Sequence, residues 1–139
     1  MIKRLLVISG LMVAIYTSHA SAGFYKDGDL ILAKANAWFE FVDDGQYELS
    51  WDKASKILKG NVSKKDWMAR IQKFREMCGP FISRKIYSLN YSDKYPKGPN
   101  GLYCILYYYG VYENKSFDYE TLVMVLEEGE WRVFGYYWN

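Results

Sequence analysis

The sequence has few of the residues that most often carry out chemistry in proteins. It contains one histidine, His19, and two cysteines, Cys78 and Cys104, with neither a Cys-x-x-Cys motif nor an acidic loop of calcium-binding spacing. Imidazole is the commonest general base and, with the thiolate, a preferred zinc ligand. The composition therefore argues against a metal site, and nothing in it indicates a cofactor, so we expect neither.

The first 22 residues have the pattern of a secretory signal peptide. Lys3 and Arg4 precede an apolar run over residues 5–15, and small residues lead up to Ala22. The apolar run has 11 residues, whereas a membrane-spanning helix needs about 20. We therefore expect cleavage after Ala22, a mature chain without a membrane anchor, and a periplasmic or secreted protein.

Residues 23–139, the expected mature chain, carry no excess of charge. Removal of Lys3 and Arg4 leaves 16 basic side chains against 16 acidic ones. A nucleic-acid-binding domain normally carries a basic patch, so we expect no nucleic-acid partner. The segment also holds 13 tyrosines, 7 phenylalanines and 5 tryptophans. Because each buried ring removes about 150–250 Å² from water, we expect a single domain whose core needs no disulfide or metal.

Apolar residues at the helical spacing predict three helices in the first half of the chain. The first is capped by Asp29 and ends near Gly45, with an apolar stripe of Ile31, Ala35, Trp38 and Val42. The second is shorter, and one side of it carries Tyr47, Trp51 and Ala54. The third is capped by Ser63 and ends at Gly79-Pro80, with a stripe of Trp67, Ile71, Phe74 and Cys78.

The second half of the chain has the two-residue alternation of β-strands. Four strands are predicted, over residues 81–92, 102–112, 117–127 and 131–138. Their short connections require antiparallel neighbours, so the class is α+β, with three helices packed on a four-stranded antiparallel meander. Centring the two tight turns pairs Glu113 with Ser116 and Glu127 with Glu130.

One charged residue, Glu120, falls on a sheet face that is otherwise apolar. The predicted register places Glu120 opposite Tyr109 on one side and opposite Tyr137 on the other. An unpaired buried carboxylate is costly, so we expect these tyrosines and Arg84 of the first strand to be its partners. Two interpretations remain open: the polar floor of a ligand pocket, or an internal ion pair that determines the strand register, which is the simpler of the two.

The same register divides the sheet into two apolar faces. Besides Glu120, the face expected beneath the helices carries Tyr103, Ile105, Tyr107, Tyr109, Val111, Leu122, Met124, Leu126, Trp131, Val133 and Tyr137. The opposite face carries Leu106, Tyr108, Tyr112, Val123, Val125, Phe134, Tyr136 and Trp138, together with Arg132. Monomers rarely expose so large an apolar area. We therefore expect a homodimer, or another protein partner, on the second face.

The two cysteines are not expected to form a disulfide. Cys78 precedes the first strand and Cys104 begins the second, beside the far end of the first. A strand of roughly ten residues at about 3.3 Å each separates them, whereas a disulfide needs Cα atoms less than about 7 Å apart. We predict two free, buried thiols.

Two further groups of residues allow a functional or a structural interpretation. Tyr47, Trp51 and Trp67 could line a ligand pocket, although aromatic residues at helical spacing more often form the core. Asp43-Asp44, at the end of the first helix, is most simply a solvated turn.

The order and spacing of many residues resembles the bacterial domain-of-unknown-function family 4019. In the first half these are Trp38, Val42-Asp43, Gly45, Tyr47, Trp51, Ala54-Ser55, Val62-Ser63-Lys64 and Trp67. In the second half they are Gly79, Ser83-Arg84-Lys85, Pro99-Asn100-Gly101-x-Tyr103, Glu120-Thr121 and Trp131-Arg132-Val133-x-Gly135-Tyr136.

The resemblance implies an exported bacterial protein without an established activity. It also implies a nuclear-transport-factor-2-like cone, in which helices cover a curved sheet, a pocket often lies between them, and dimers often form through the sheet. That fold hosts enzymes, ligand binders and structural partners, so it does not decide function. No catalytic residue is implied, although Arg84 and Glu120 fall on positions of the family pattern.

Three functions are compatible with the sequence. The leading hypothesis is a non-catalytic domain that binds a small apolar or aromatic ligand, or a protein partner, through the cone. The second is an envelope accessory protein or inhibitor that acts through the outer sheet face. The third, and least supported, is an enzyme that uses Glu120 as acid or base with Arg84 and tyrosines as electrostatic support. The candidate ligand-binding residues are Arg84, Glu120, Tyr109, Tyr137, Tyr47, Trp51 and Trp67.

Overall fold

The structure, a computed structural model, describes residues 27–139, and within them all side chains except those of residues 117–119. The predicted signal peptide and its cleavage site after Ala22 lie outside the described residues. No helix in the described range is both long enough and apolar enough to cross a membrane.

Four helices precede the sheet within the described residues, one more than predicted. They are α1 (Gly28–Asp43), α2 (Tyr47–Asp52), α3 (Lys56–Asn61) and α4 (Lys64–Cys78). The additional helix, α3, has six residues and is too short for an apolar stripe to reveal it. A cap signal was present, since the hydroxyl of Ser55 accepts the N–H of Leu58 at 3.0 Å.

The apolar stripes of the two long helices are buried as predicted. In α1 the buried residues are Ile31, Ala35, Trp38, Phe39 and Val42. In α4 they include Trp67, Ile71, Phe74 and Cys78. Ser63 caps α4 by accepting the N–H of Asp66 at 3.1 Å. The predicted cap of α1 was wrong, because Asp29 lies inside the first turn, after a start at Gly28.

The sheet is the predicted four-stranded antiparallel meander. Its strands are β1 (Phe81–Ser92), β2 (Tyr103–Tyr112), β3 (Ser116–Glu127) and β4 (Glu130–Trp138), in the order β1-β2-β3-β4. The fold class is therefore α+β. The predicted pairing of Glu127 with Glu130 is confirmed. Glu128 and Gly129 connect the two strands with φ of 51° and 80°, the combination of a type I′ hairpin.

The predicted register between β2 and β3 was wrong by two residues beside the turn and by one residue beyond the irregularity between Tyr108 and Gly110. Ser116 pairs with Val111 rather than with Glu113, and Glu120 lies opposite Tyr108 rather than Tyr109. A slip of one residue turns every side chain of a strand to the other face. The inner face of β2 therefore carries Cys104, Leu106, Tyr108 and Tyr112, whereas Tyr109 is 43% exposed.

A β-bulge in β4 changes which side chains near the end of the strand point inward. Met124 pairs with Val133 and Val123 with Gly135, so Phe134 is an extra residue without a partner in β3. Beyond the bulge the faces exchange, and Tyr136 and Trp138 join the inner face. The prediction that Tyr137 faces Glu120 was wrong: Trp138 lies opposite Glu120, and Tyr137 is 38% exposed.

Aromatic rings fill the space between the helices and the sheet. Phe39 makes edge-to-face contacts with Tyr108 and Tyr136, whose ring centroids lie 5.2 and 5.6 Å away. Phe74 stacks on Trp138 at 3.9 Å. Such pairs add about 0.5–1.5 kcal/mol each beyond the area they bury.

The outer face of the sheet is partly covered by the chain itself. Its buried cluster consists of Tyr103, Val123, Val125 and Phe134, packed against Ile57, Tyr95 and Ile105. The loop between β1 and β2 crosses this face, and the hydroxyl of Tyr103 donates to Pro99 O at 2.6 Å. Of the residues predicted on this face, Leu106, Tyr108, Tyr112, Tyr136 and Trp138 belong to the inner cluster instead.

Candidate functional site

Glu120 and Arg84 form a buried ion pair across two strands. Glu120 on β3 is fully buried, and the side chain of Arg84 on β1 is 7% exposed. Nε of Arg84 donates to Oε2 of Glu120 at 3.0 Å, and Nη2 donates to Oε1 at 2.9 Å. The Glu120 side chain lies over Gly110 of β2, the residue paired with Arg84, and a Cβ atom there would overlap Oε2 and lie 3.2 Å from Cδ of Glu120. The glycine therefore gives the pair its room.

Two tyrosines complete the coordination of Glu120, but they are not the predicted ones. The hydroxyls of Tyr112 and Tyr136 both donate to Oε1 of Glu120, the first at 2.6 Å. Because of the register shifts described above, Tyr109 and Tyr137 do not lie opposite Glu120, so the expectation that they pair with it was wrong. Two tyrosine hydroxyls therefore do bind Glu120 as expected, but they belong to Tyr112 and Tyr136 because the registers of β2 and β4 are shifted.

The ion pair continues outward through Asp43 at the end of α1. Asp43 accepts Nη1 of Arg84 at 2.9 Å and Nη1 of Arg75 at 2.8 Å. The interpretation of Asp43 as part of a solvated turn was wrong, since its side chain is 15% exposed and paired on both sides. We call the set of Asp43, Arg75, Arg84, Tyr112, Glu120 and Tyr136 the ionic network.

The ionic network is electrically balanced, and its hydroxyls stay protonated. Burial, followed by the charge of Glu120, raises the pKa of Tyr112 and of Tyr136 above the ordinary value. Burial acts to lower the pKa of Arg84, but hydrogen bonds to Asp43 and Glu120 outweigh it, and the pKa is raised. The guanidinium also lies 3.7 Å from the ring centroid of Phe39, a cation–π contact.

The contacts of Glu120 favour an internal ion pair over the floor of a pocket. Both carboxylate oxygens are engaged by donors of Arg84, Tyr112 and Tyr136, and Glu120 has no exposed surface. An acid or base must be within reach of the proton it transfers. The ligand-binding role of Arg84 and Glu120 stays a prediction, which these contacts do not favour.

Tyr47, Trp51 and Trp67 do not surround one pocket. Trp67 is buried, and its Nε1 donates to the hydroxyl of Ser50 at 2.9 Å. Nε1 of Trp51 donates to Val62 O at 3.0 Å. Tyr47 lines an open groove beside Asp43. Ser50 was missed in the sequence because a buried serine inside a short helix carries no pattern of its own.

The two cysteines are both buried and free. Burial raises the pKa of the Cys104 thiol to about 12, and burial also raises that of Cys78. Because the thiolate is the reactive form, neither side chain is poised for nucleophilic or redox chemistry. Across the described part of the chain, no group of three or more metal-ligating side chains is placed to hold a metal ion.

A cleft of about 380 Å³ lies at the free edge of β4, between that strand, the α3–α4 segment and the β1–β2 loop. We call it the β4 cleft; its lining residues are Leu58, Asn61, Val62, Trp67, Arg70, Pro96, Lys97, Phe134, Gly135, Tyr136 and Tyr137. Its volume is within the range of small-molecule sites, about 300–1,000 Å³. Of the predicted site residues it unites Trp67 and Tyr137.

The β4 cleft has cationic and aromatic walls that sequence reasoning did not identify. Nη2 of Arg70 approaches Tyr136 O at 3.5 Å, and its guanidinium lies 4.9 Å from the ring centroid of Trp138. Lys97 stands on the opposite rim, in the β1–β2 loop. That loop was recognised only as a turn-rich connection, because nothing in its sequence indicates that it folds back to β4.

Comparison with known proteins supports the resemblance seen in the sequence. The family model described as "Protein of unknown function (DUF4019)" matches residues 34–136, which include nearly all of the helices and strands. No curated protein matches the chain.

Replacing Glu120→Gln should destabilise the fold without changing surface binding. The amide cannot balance Arg84, so we expect the free energy of unfolding to fall by about 3 kcal/mol, as for other broken buried pairs. Urea denaturation measures this. Glu113→Gln, at an exposed position, should change it by less than about 0.5 kcal/mol. Unchanged stability with lost binding of an aromatic probe such as indole would instead indicate a ligand site.

Stability should fall at alkaline pH because of the buried tyrosines. The pKa of Tyr112 and of Tyr136 is raised above 10.0 in the folded protein. Below that pH both states are protonated, and the contribution of these hydroxyls is fully present; above it the unfolded chain releases protons that the folded chain keeps. We expect the free energy of unfolding, measured by urea denaturation at each pH, to decrease as the pH rises beyond about 10. Tyr136→Phe should weaken this pH dependence, whereas Tyr109→Phe should not.

Proposed function

The chain belongs to the DUF4019 family, and on that premise we propose that it is an exported, non-catalytic domain that binds a small apolar or aromatic molecule in the β4 cleft. The proposal of export rests on the N-terminal sequence pattern. The proposal of binding rests on the β4 cleft, which combines a suitable volume with aromatic walls and a few polar groups.

The β4 cleft supports binding because its walls hold their shape. Phe134 packs against Tyr95 and Tyr103, with ring centroids 5.4 and 5.3 Å away. On the other wall, Trp67 is tied to Ser50. A ligand entering a preformed cleft loses less free energy to the ordering of side chains.

A non-catalytic role is supported by the state of Glu120, the acid on which the enzymatic alternative depends. Its two oxygens already accept hydrogen bonds from three side chains, and it is fully buried. A substrate would have to displace Arg84 or a tyrosine to reach it. The enzymatic alternative is therefore the least favoured.

We also propose that the fold is a variant of the nuclear-transport-factor-2-like cone. Helices on one face of a four-stranded meander, and bulges that bend its strands, support this. A cone of that kind often binds ligands between helices and sheet. In this chain Phe39, Phe74 and Tyr136 pack in that space, so the ligand site is placed at the β4 edge instead.

Indole, a neutral aromatic probe, tests the proposed binding. We expect its titration to shift the amide NMR signals of Gly135 and Tyr137, which line the β4 cleft. Asn61→Trp should fill the cleft and weaken indole binding by at least about tenfold, equivalent to 1.4 kcal/mol. Asn100→Trp, at an exposed position away from the lining, is the matched control. Signal changes confined to other regions, or none at all, would contradict the proposal.

A homodimer through the outer sheet face is a second candidate, favoured by exposed tyrosines. Tyr87 and Tyr109 are 52% and 43% exposed, and Tyr87 stacks on Tyr107 with centroids 6.1 Å apart. Tyrosine is enriched in protein interfaces because its ring is large and its hydroxyl tolerates water. A second copy that buries this face would satisfy both properties.

Analytical ultracentrifugation over a wide range of concentrations tests the homodimer. We expect Tyr109→Asp to weaken dimerisation by at least about tenfold, since a charge at the centre of an interface is poorly tolerated. Asn114→Asp, an exposed substitution at the β2–β3 turn, should have no effect. A monomer at every concentration tested would refute this candidate.

A further inference from the structure

We propose that the β4 cleft selects small molecules that carry a carboxylate beside an aromatic ring, and that Arg70 and Lys97 bind the carboxylate. This inference rests on the proposed function, because it names the ligand class of the same cleft. The two cationic side chains, the strained backbone of one of them and the aromatic walls between them carry the argument.

The lining of the β4 cleft is positively charged, although residues 23–139 carry equal numbers of basic and acidic side chains. Arg70 and Lys97 are its cations, and none of the lining residues is acidic. Among the described side chains, every salt bridge involves other cations: Lys56, Lys64, Arg75, Arg84 and Arg132. Clefts lined by one sign of charge concentrate ligands of the opposite sign.

Arg70 is held in place by rings rather than by a carboxylate. Its guanidinium lies 4.9 Å from the ring centroid of Trp138 and 5.9 Å from that of Tyr137. Its one hydrogen bond to a described residue is the long contact with Tyr136 O, at 3.5 Å. A guanidinium has five N–H donors in a planar fork that matches a carboxylate. The remaining donors are therefore the natural partners of a planar anion.

Lys97 occupies a backbone conformation that lysine rarely adopts. Its φ is 63°, in the left-handed region that favours glycine. The surrounding turn maintains this conformation, since Gly98 N–H donates to Tyr95 O at 3.1 Å and Pro99 O accepts the hydroxyl of Tyr103. Strained residues cluster at functional sites, so the position of Lys97 at the rim of a cleft supports a role for its side chain. The use that a lysine offers beyond a glycine is its ammonium group.

The aromatic part of the ligand is expected to lie against β4. The bulge turns Tyr137 outward, and its ring covers Gly135, where a Cβ would lie 2.6 Å from the hydroxyl oxygen. Phe134 presents a second ring to the cleft. Flat apolar surface beside two cations matches an aromatic carboxylate better than a free inorganic anion, which has no apolar part to bury.

Three matched probes test the inference by NMR titration: indole-3-acetate, its neutral analogue indole-3-acetamide, and indoxyl phosphate. We expect the acetate to shift cleft signals and to bind at least about tenfold more tightly than the amide, as expected for charge-assisted hydrogen bonds. Because a guanidinium binds phosphate as well as carboxylate, indoxyl phosphate tests the carboxylate class directly, and the proposal requires that it bind no more tightly than the acetate. Added salt should weaken the binding of the acetate and leave the affinity for the amide unchanged.

Substitutions distinguish the role of the two cations in binding from any effect on the stability of the fold. Arg70→Gln and Lys97→Gly should each reduce the preference for acetate over amide by at least about threefold. Lys97→Gly should not lower the melting temperature, because glycine accepts the conformation at position 97 more readily. Lys85→Gln removes an exposed charge from β1, at the opposite edge of the sheet, and should not affect any probe.

The outcomes distinguish this inference from the proposed function. Equal affinities for acetate and amide, both lost in Asn61→Trp, would overturn selection of an anion and leave the β4 cleft as a binding site. Tighter binding of the phosphate would overturn the carboxylate class. Failure of all three probes to shift cleft signals would overturn the inference, while the titration with neutral indole decides the proposed function separately.

Discussion

The arrangement of the sheet depends on the burial of one carboxylate. Glu120 has no exposed surface, so its charge must be balanced inside the protein by Arg84. This requirement reaches through the domain: Gly110 leaves room between the two side chains, and Asp43 closes the other side of the guanidinium. Because Asp43 ends α1, the ion pair also joins the helical layer to the sheet.

One β-bulge, at Phe134, influences both the ionic network and the β4 cleft. The extra residue, Phe134, turns Tyr136 inward, where its hydroxyl reaches Glu120. The same insertion turns Tyr137 outward onto Gly135, where its ring forms part of the β4 cleft. The local irregularity therefore completes the polar core and shapes the surface site together, as bulges near functional sites often do. Side chains fill the space between the helices and the sheet, whereas the β4 cleft lies open at the edge of the sheet.

Much of the fold was predictable because its signals are local. The stripes of α1 and α4, the cap at Ser63 and the hairpin at Glu128-Gly129 each depend on residues a few positions apart, and the structure confirms them. The predicted faces of β2 and of the end of β4 were wrong because two registers shift. Alternation assigns faces only while pairing is regular, and a bulge breaks the alternation without leaving a mark in the composition.

Residue order alone establishes that helices precede an antiparallel meander and that Glu120 needs Arg84, because burial of a charge demands a counterion wherever the strands lie. The tertiary structure decided which tyrosines join that pair and which face the solvent. It also decided that Asp43 and Arg75 extend the network, and that Arg70 and Lys97 line the same cleft beside β4. The contacts of Asp43 join residues 32 and 41 positions apart in the chain, and those of Tyr112 and Tyr136 depend on register shifts. Local periodicity encodes neither a contact between residues far apart in the chain nor a one-residue register shift, so packing alone brings these side chains together.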